Sequence, residues 1–211
     1  MRMEAVIFDC DGTLVDSEGL AVEVIVGLLD ERGIRPGYDA LMARFHGGQF
    51  SVFVDALCQD YPTIDPATFT AEFRSRTQRV FRRDLKAMPG ARALVSTLDI
   101  EKCVASNGPL EKIETSLGAT GLLQYFDNRI VSAYEVGSWK PDPGLVHAAC
   151  ASMGVPAARC LLIEDSLPGV RAGLAAGVAV AAFRLGADRL GELAHKVQMI
   201  DELAQVPLLL E

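Results

Sequence analysis

Residues 5–16 read AVIFDCDGTLVD. Ala5 to Phe8 is a short apolar run bounded by a charged residue, and it predicts a buried strand. Ligands of open parallel sheets bind beyond the carboxyl ends of the strands, so Asp9 and Asp11 stand where chemistry is expected. Two positions apart, the two carboxylates can face one space, and Gly12 permits the turn that follows. Taken alone, Asp11-Gly12 also reads as an ordinary turn and Asp9 as a solvated strand end. The rest of the chain has to decide.

From about residue 89 onward, short apolar runs alternate with helical stretches. Cys103-Val104-Ala105, Ile130-Val131, Leu161-Leu162-Ile163 and Val178 to Phe183 read as buried strands. Pro109, after Ser106-Asn107-Gly108, and Pro143, after Asp142, each suit a first helical position. Gly154 and Gly177 close the helices that start near 143 and 166. This alternation predicts an α/β fold, a doubly wound parallel sheet with helices on both faces. Between the first strand and this region the pattern is helical. Ala21, Val22, Ile25, Leu28 and Leu29 lie near helical spacing with Gly33 as a stop. A second helix is expected from Pro66 to Arg83, with Phe69, Phe73, Val80 and Phe81 inward. The expected organisation is a core of residues 1–14 and 89–211 with a helical insert at 15–88.

A chain of 211 residues fits one large domain with a smaller insert, and can bury its core without a metal or disulfide staple. Its 50% hydrophobic and 23% charged residues exclude a disordered or fibrous chain. Twenty Lys and Arg against 28 Asp and Glu give a net charge of −8, which argues against nucleic-acid or anionic-membrane partners. The most apolar stretch, Ala172 to Phe183, is too short to span a membrane and is interrupted by glycines. Glu4, Asp9 and Asp11 interrupt the place of a secretory apolar core. Five cysteines without a CxxC pair read as reduced thiols, so a cytoplasmic location is expected.

Three later motifs share the position of Asp9, each just past a predicted strand or loop. Ser106-Asn107 stands at a strand-to-helix junction, where backbone N–H groups and the helix dipole favour an anion, although Ser-Asn-Gly is also a common turn. Lys140 precedes Pro141, which keeps it extended and outside the next helix; a lysine there is otherwise solvated surface. Glu164-Asp165-Ser166 reads either as metal carboxylates or as a capped helix start.

The run Asp9 to Asp16, then Ser106-Asn107-Gly108, Lys140-Pro141 and Glu164-Asp165-Ser166, resembles the four motifs of the haloacid dehalogenase superfamily, in order and across nearly the whole chain. The resemblance implies a Rossmann-like core with a helical cap inserted after the first motif (subclass I). It implies that Asp9 is the nucleophile that takes the phosphoryl group and Asp11 the general acid and base. Mg2+ would be held by Asp9, by Asp11 through its backbone carbonyl, and by Asp165, with Glu164 touching it directly or through water. Lys140 would pair with Asp9 and the phosphoryl group, and Ser106 and Asn107 would bind phosphate or substrate. The cap segment Arg44-Phe45-His46-Gly47-Gly48-Gln49 matches a substrate-contacting loop, in which Gly47 and Gly48 suit approach to a ligand and His46 or Gln49 would contact its distal end; an ordinary interhelical turn is the other reading. Electrostatics supports the need for a cation. A carboxylate about 3 Å from a phosphate dianion meets roughly 11 kcal/mol of repulsion at an effective dielectric of about 20.

The expected function is hydrolysis of a small phosphorylated metabolite, a sugar or sugar-acid phosphate with 6-phosphogluconate among the candidates. Dehalogenating and phosphonate-cleaving members lack the second aspartate, and Asp11 is present. A sugar phosphomutase of the β-phosphoglucomutase type is the alternative, but such enzymes carry a cap histidine where this chain has Ala21. A non-turnover phospho-aspartate regulatory module is the alternative from another class; it lacks a helical insert. Arg74, Arg76, Arg79, Arg82 and Arg83 read as a solvated helix face, and Cys10, Met88, Met153 and Trp139 as packing.

Overall fold

β1 (Ala5–Phe8) is buried at every position because both its faces are covered. In the computed structural model, which describes residues 2–45 and 48–211, it lies inside a six-stranded sheet. The other strands are β2 (Glu101–Ser106), β3 (Ile130–Ser132), β4 (Cys160–Glu164), β5 (Ala179–Phe183) and β6 (Gln198–Ile200). The order is β3-β2-β1-β4-β5-β6, all parallel, which is the doubly wound arrangement. Phe8 stands level with Val104 of β2 and Ile163 of β4. That register brings the ends of three motif-bearing strands together.

Alternation of side chains along each strand separates two cores. Val6, Phe8, Val104, Ile163 and Phe183 face one way; Ala5, Ile7, Cys103, Leu162 and Val180 face the other. The helices between β1 and β2 are α1 (Glu18–Asp30), α2 (Tyr38–Phe45), α3 (Phe50–Asp60), α4 (Pro66–Asp84) and α5 (Ala91–Thr97). Beyond them come α6 (Leu110–Ala119), α7 (Ala133–Val136), α8 (Gly144–Met153), α9 (Leu167–Ala176) and α10 (Ala187–Leu190). The apolar side chains of α1, α3 and α4 merge with the first core, whereas α8 and α9 seal the second.

α4 illustrates how the sequence fixes a wall of the site. The Asp65 carboxylate accepts from the Thr68 N–H at 2.8 Å, Pro66 opens the first turn, and Arg82 and Arg83 lie at the C-terminal end of the dipole. The buried stripe runs through Phe69, Phe73, Thr77 and Phe81. A strict four-residue step turns Val80 to the side, where it is half-buried rather than inward as the sequence suggests. Pro109 and Pro143 also differ from expectation by one position: both precede the first helical residue of α6 and α8. Gly154 and Gly177 end α8 and α9 in the left-handed conformation, as their positions predict. β6 has no sequence signal, since two of its three residues are exposed at the sheet edge. No helix among the described residues is long and apolar enough to cross a membrane, and all five cysteines are free thiols.

Candidate active site

The carboxyl ends of β1, β2 and β4 open onto a cavity of about 240 Å³ roofed by α4. Asp9, Asp11, Ser106, Lys140 and Asp165 line its lower part, and Phe45, Phe50, Phe73 and Phe81 its upper part. The structure therefore brings all four sequence motifs to one place. His46 and Gly47 lie outside the described residues; their neighbours Phe45 and Gly48 line the cavity.

Lys140 is the hub. Its Nζ donates to Asp9 Oδ1 at 2.6 Å, to Glu164 Oε2 at 2.7 Å and to the Ala105 carbonyl at 2.9 Å. Burial opposes its charge, but the Asp9 and Glu164 carboxylates outweigh burial and hold its pKa above the ordinary lysine value. Lys140 is 4% exposed and is no surface lysine. Its backbone is fixed by Asn107, whose Oδ1 accepts from the Lys140 N–H at 2.9 Å and whose Nδ2 donates to the Lys140 carbonyl at 3.3 Å. The Asn107 amide thus positions the lysine backbone, and the residue also lines the cavity with its second N–H uncommitted among the described residues. Ser106 ends β2 facing the cavity, and its Oγ accepts from the Gly108 N–H at 3.1 Å.

Asp9, Glu164 and Asp165 each offer an oxygen, and the three lie within 4.8 Å of one another. Burial and the neighbouring Glu164 carboxylate push Asp9 up to about 7, against the pull of Lys140. Burial and the charges of Asp9 and Glu164 likewise raise Asp165 well above the usual carboxylate range. Lys140 pairs with two of these buried carboxylates and leaves Asp165 without a cation partner among the described residues, a surplus of negative charge that fits a hard divalent cation. Glu164 is the least available of the three: its other oxygen accepts from Ser166 Oγ at 2.6 Å and from the Ser166 N–H at 3.1 Å. Asp165 is steadied by Thr13 Oγ1, which donates to its Oδ1 at 3.0 Å.

Asp11 belongs to a second charge group. Its carboxylate accepts from Ser17 Oγ at 2.5 Å and from Lys112 Nζ. Burial works against ionisation, yet Lys112 and the Ser17 hydroxyl prevail and lower the pKa below its ordinary value. Lys112, which the sequence analysis does not single out, thus favours the ionised form of Asp11, whereas a general acid needs the protonated one.

Two glycines are required by close approach rather than by turns alone. Gly12 has φ +76°, and a Cβ there would lie 2.0 Å from Asp165 Oδ2. At Gly169 a Cβ would meet Glu164 Cδ at 1.9 Å. Lys112, Thr13, Ser17 and Gly169 all escape the sequence analysis. For Gly169 a faint signal exists, since a glycine in the first turn of a helix is unfavourable without a packing reason.

Comparison with known proteins agrees with this geometry. The family model for haloacid dehalogenase-like hydrolases matches residues 3–177. A 6-phosphogluconate phosphatase of Escherichia coli is 35% identical over 98% of this chain and 94% of its own length. A solved haloacid dehalogenase-like protein of unknown function from Agrobacterium tumefaciens superposes with a TM-score of 0.82 at 28% identity, covering 98% of this chain and 97% of that one. A family hydrolase from Deinococcus radiodurans, solved with bound phosphate and sodium, gives 0.79 at 28% identity over 97% and 93%.

Proposed function

The chain belongs to the haloacid dehalogenase-like hydrolase family and is a phosphoric monoester hydrolase, and from that premise we propose that it is a Mg2+-dependent phosphatase of small phosphorylated sugars or sugar acids working through an aspartyl-phosphate intermediate. The observation that carries this reading is Asp9 at the end of β1, one oxygen held by Lys140 and the carboxylate facing a cavity of small-molecule size. Residues 15–88, including α1 to α4, act as the cap whose closure excludes water and large substrates.

Asp9 attacks phosphorus, the phosphorus–sugar oxygen bond breaks, and a neutral Asp11 delivers its proton to the leaving oxygen. In the second step water attacks the aspartyl phosphate, its proton passes to ionised Asp11, and inorganic phosphate leaves as Asp9 is regenerated. Lys112 favours the ionised Asp11 that this second step uses, and the proton taken from water in that step is the one Asp11 delivers in the next turnover. Lys140 anchors the nucleophile and offsets negative charge on the transferring group, and the Ser106 hydroxyl can donate to its oxygens. Asp9, Asp165 and the Asp11 carbonyl would hold Mg2+, with Glu164 at its margin; the bound cation supplies charge neutralisation between nucleophile and phosphate.

A phosphomutase needs a further group to shuttle protons from the cap, and Ala21, which lines the cavity in α1, offers none. Phosphate release from a panel of phosphorylated sugars and sugar acids, with Mg2+ and with EDTA, tests the proposal. Acid-quenched enzyme should carry substrate-derived phosphate on Asp9. Undiminished turnover in EDTA, or in Asp9→Asn, would refute it.

A further inference from the structure

Two polar groups in the cavity wall, Lys112 and Thr77, have no direct part in the phosphoryl-transfer steps, Lys112 acting there only through Asp11. Lys112, in the first turn of α6, points its ammonium at Asp11 and holds it 5.7 Å from the centroid of the Phe81 ring in α4. Unlike Lys140, which is saturated by two carboxylates and a carbonyl, Lys112 has one carboxylate partner among the described residues and donors to spare. Opposite it, one turn before Phe81, stands Thr77. Thr77 lines the cavity at 4% exposure, and its hydroxyl finds no partner among the described residues. A threonine inside a helix ordinarily bonds back to a carbonyl three or four residues earlier. A buried hydroxyl left without any partner is costly, and a ligand hydroxyl would satisfy it.

We infer that Lys112 and Thr77 form the subsite for the end of the substrate remote from its phosphate, Lys112 pairing with a carboxylate and Thr77 with an adjacent hydroxyl. The inference rests on the phosphatase reading and narrows its substrate class to phosphorylated sugar acids. Charge selects the carboxylate. Asp9, Asp11, Glu164 and Asp165 make the lower cavity hostile to a second anion, so one is accepted only where a cation faces the cavity. Lys112 is such a cation. Arg74 of α4, bonded to the Tyr134 hydroxyl at 3.2 Å on the cavity rim, adds a second positive charge at the same wall. The Phe81 ring packs beside the ammonium and limits water around it, which strengthens a pair formed there.

Binding to the Asp9→Asn protein, measured by titration calorimetry, separates recognition from turnover. The two probes are 6-phosphogluconate and glucose 6-phosphate, which carry a carboxylate and an aldehyde carbon at the far end. Asp9→Asn should bind the acid about tenfold tighter or more. Adding Lys112→Gln should bring the two affinities together, whereas Lys112→Arg should keep the preference. Adding Thr77→Val should weaken both probes and leave their ratio unchanged. Lys112→Gln also leaves the Asp11 charge unpaired, which repels the acid more than the sugar, so the comparison is repeated with Asp11→Asn in place, where Lys112→Gln should still remove the preference. No preference in the parent, or a preference that survives Lys112→Gln, would overturn the subsite. If the wild-type chain hydrolyses neither compound while the preference still depends on Lys112, the reading of these phosphates as its substrates fails and the subsite stands.

Discussion

Gly169→Ala sets helix propensity against tertiary packing. Alanine at a helical position is favoured over glycine by about 1 kcal/mol. At residue 169, however, the new Cβ would lie 1.9 Å from Glu164 Cδ and 2.0 Å from its Oε2. The Glu164 carboxylate would have to leave, giving up Lys140 at 2.7 Å and Ser166 Oγ at 2.6 Å. The Lys140 and Glu164 side chains are 2% and 1% exposed, so no solvent replaces the lost partner. Breaking a buried ion pair costs about 3–5 kcal/mol, leaving a net destabilisation of about 2–4 kcal/mol. For a chain of this length Tm should fall on the order of 4–16 °C. Turnover should fall too, because Lys140 loses one of its two carboxylate anchors. Gly27→Ala in α1 is the control, since nothing lies within 4 Å of a Cβ built there. It should stabilise by about 0.5–1 kcal/mol. Urea denaturation and thermal melts of both variants provide the assay. A Gly169→Ala protein as stable and as active as wild type would refute the packing account of Glu164.

Asp9→Asn should abolish phosphate release without lowering Tm, because it removes one of three crowded carboxylates; a lower Tm would mean that the Lys140 pair outweighs that repulsion. Asp11→Asn should slow turnover by about 10²–10⁴, measured as kcat on a sugar phosphate, with retained activity excluding it as the proton donor. Asn107→Ala should lower kcat more than it raises KM, since the amide holds the Lys140 backbone, and steady-state kinetics would expose the reverse pattern if it chiefly bound substrate. Asp9, raised from 3.8 to about 7, binds its proton more tightly folded than unfolded, so its contribution destabilises the metal-free protein as pH rises through that window. Mg2+ should remove that loss, so the Mg2+-induced gain in Tm should be larger near pH 8 than near pH 5. A gain independent of pH would place the cation elsewhere.

Much of the fold was legible in local pattern. The apolar run Ala5–Phe8 and its later counterparts show strands, and the Phe69, Phe73, Phe81 spacing shows α4, because burial of one face imposes a short period on the sequence. β6 was not legible, since an edge strand with two exposed residues carries no such period. Asp9, Asp11 and Asp165 follow strands expected at the carboxyl edge, but choosing them with Ser106 and Lys140 over the plainer readings of turn, surface and cap rested on the resemblance to the four family motifs. Their partnerships could not be read. Asn107, which lines the cavity, also binds the backbone of a residue 33 positions away, a partnership that nothing in its local sequence signals.

The sequence by itself determined the alternation of strands and helices, and with it which residues reach the carboxyl edge of the sheet. Only the tertiary structure decided that Lys140 is wedged between Asp9 and Glu164, that Asp11 is paired with Lys112, and that Thr77 lines the cavity with its hydroxyl unpaired among the described residues. The physical reason is distance along the chain. Hydrophobic periodicity is a local property, whereas Asp9 meets Lys140 across 131 positions and Asp11 meets Lys112 across 101. Those meetings are set by strand order and register, and by how α4 and α6 close over the sheet edge, which no spacing in the sequence encodes.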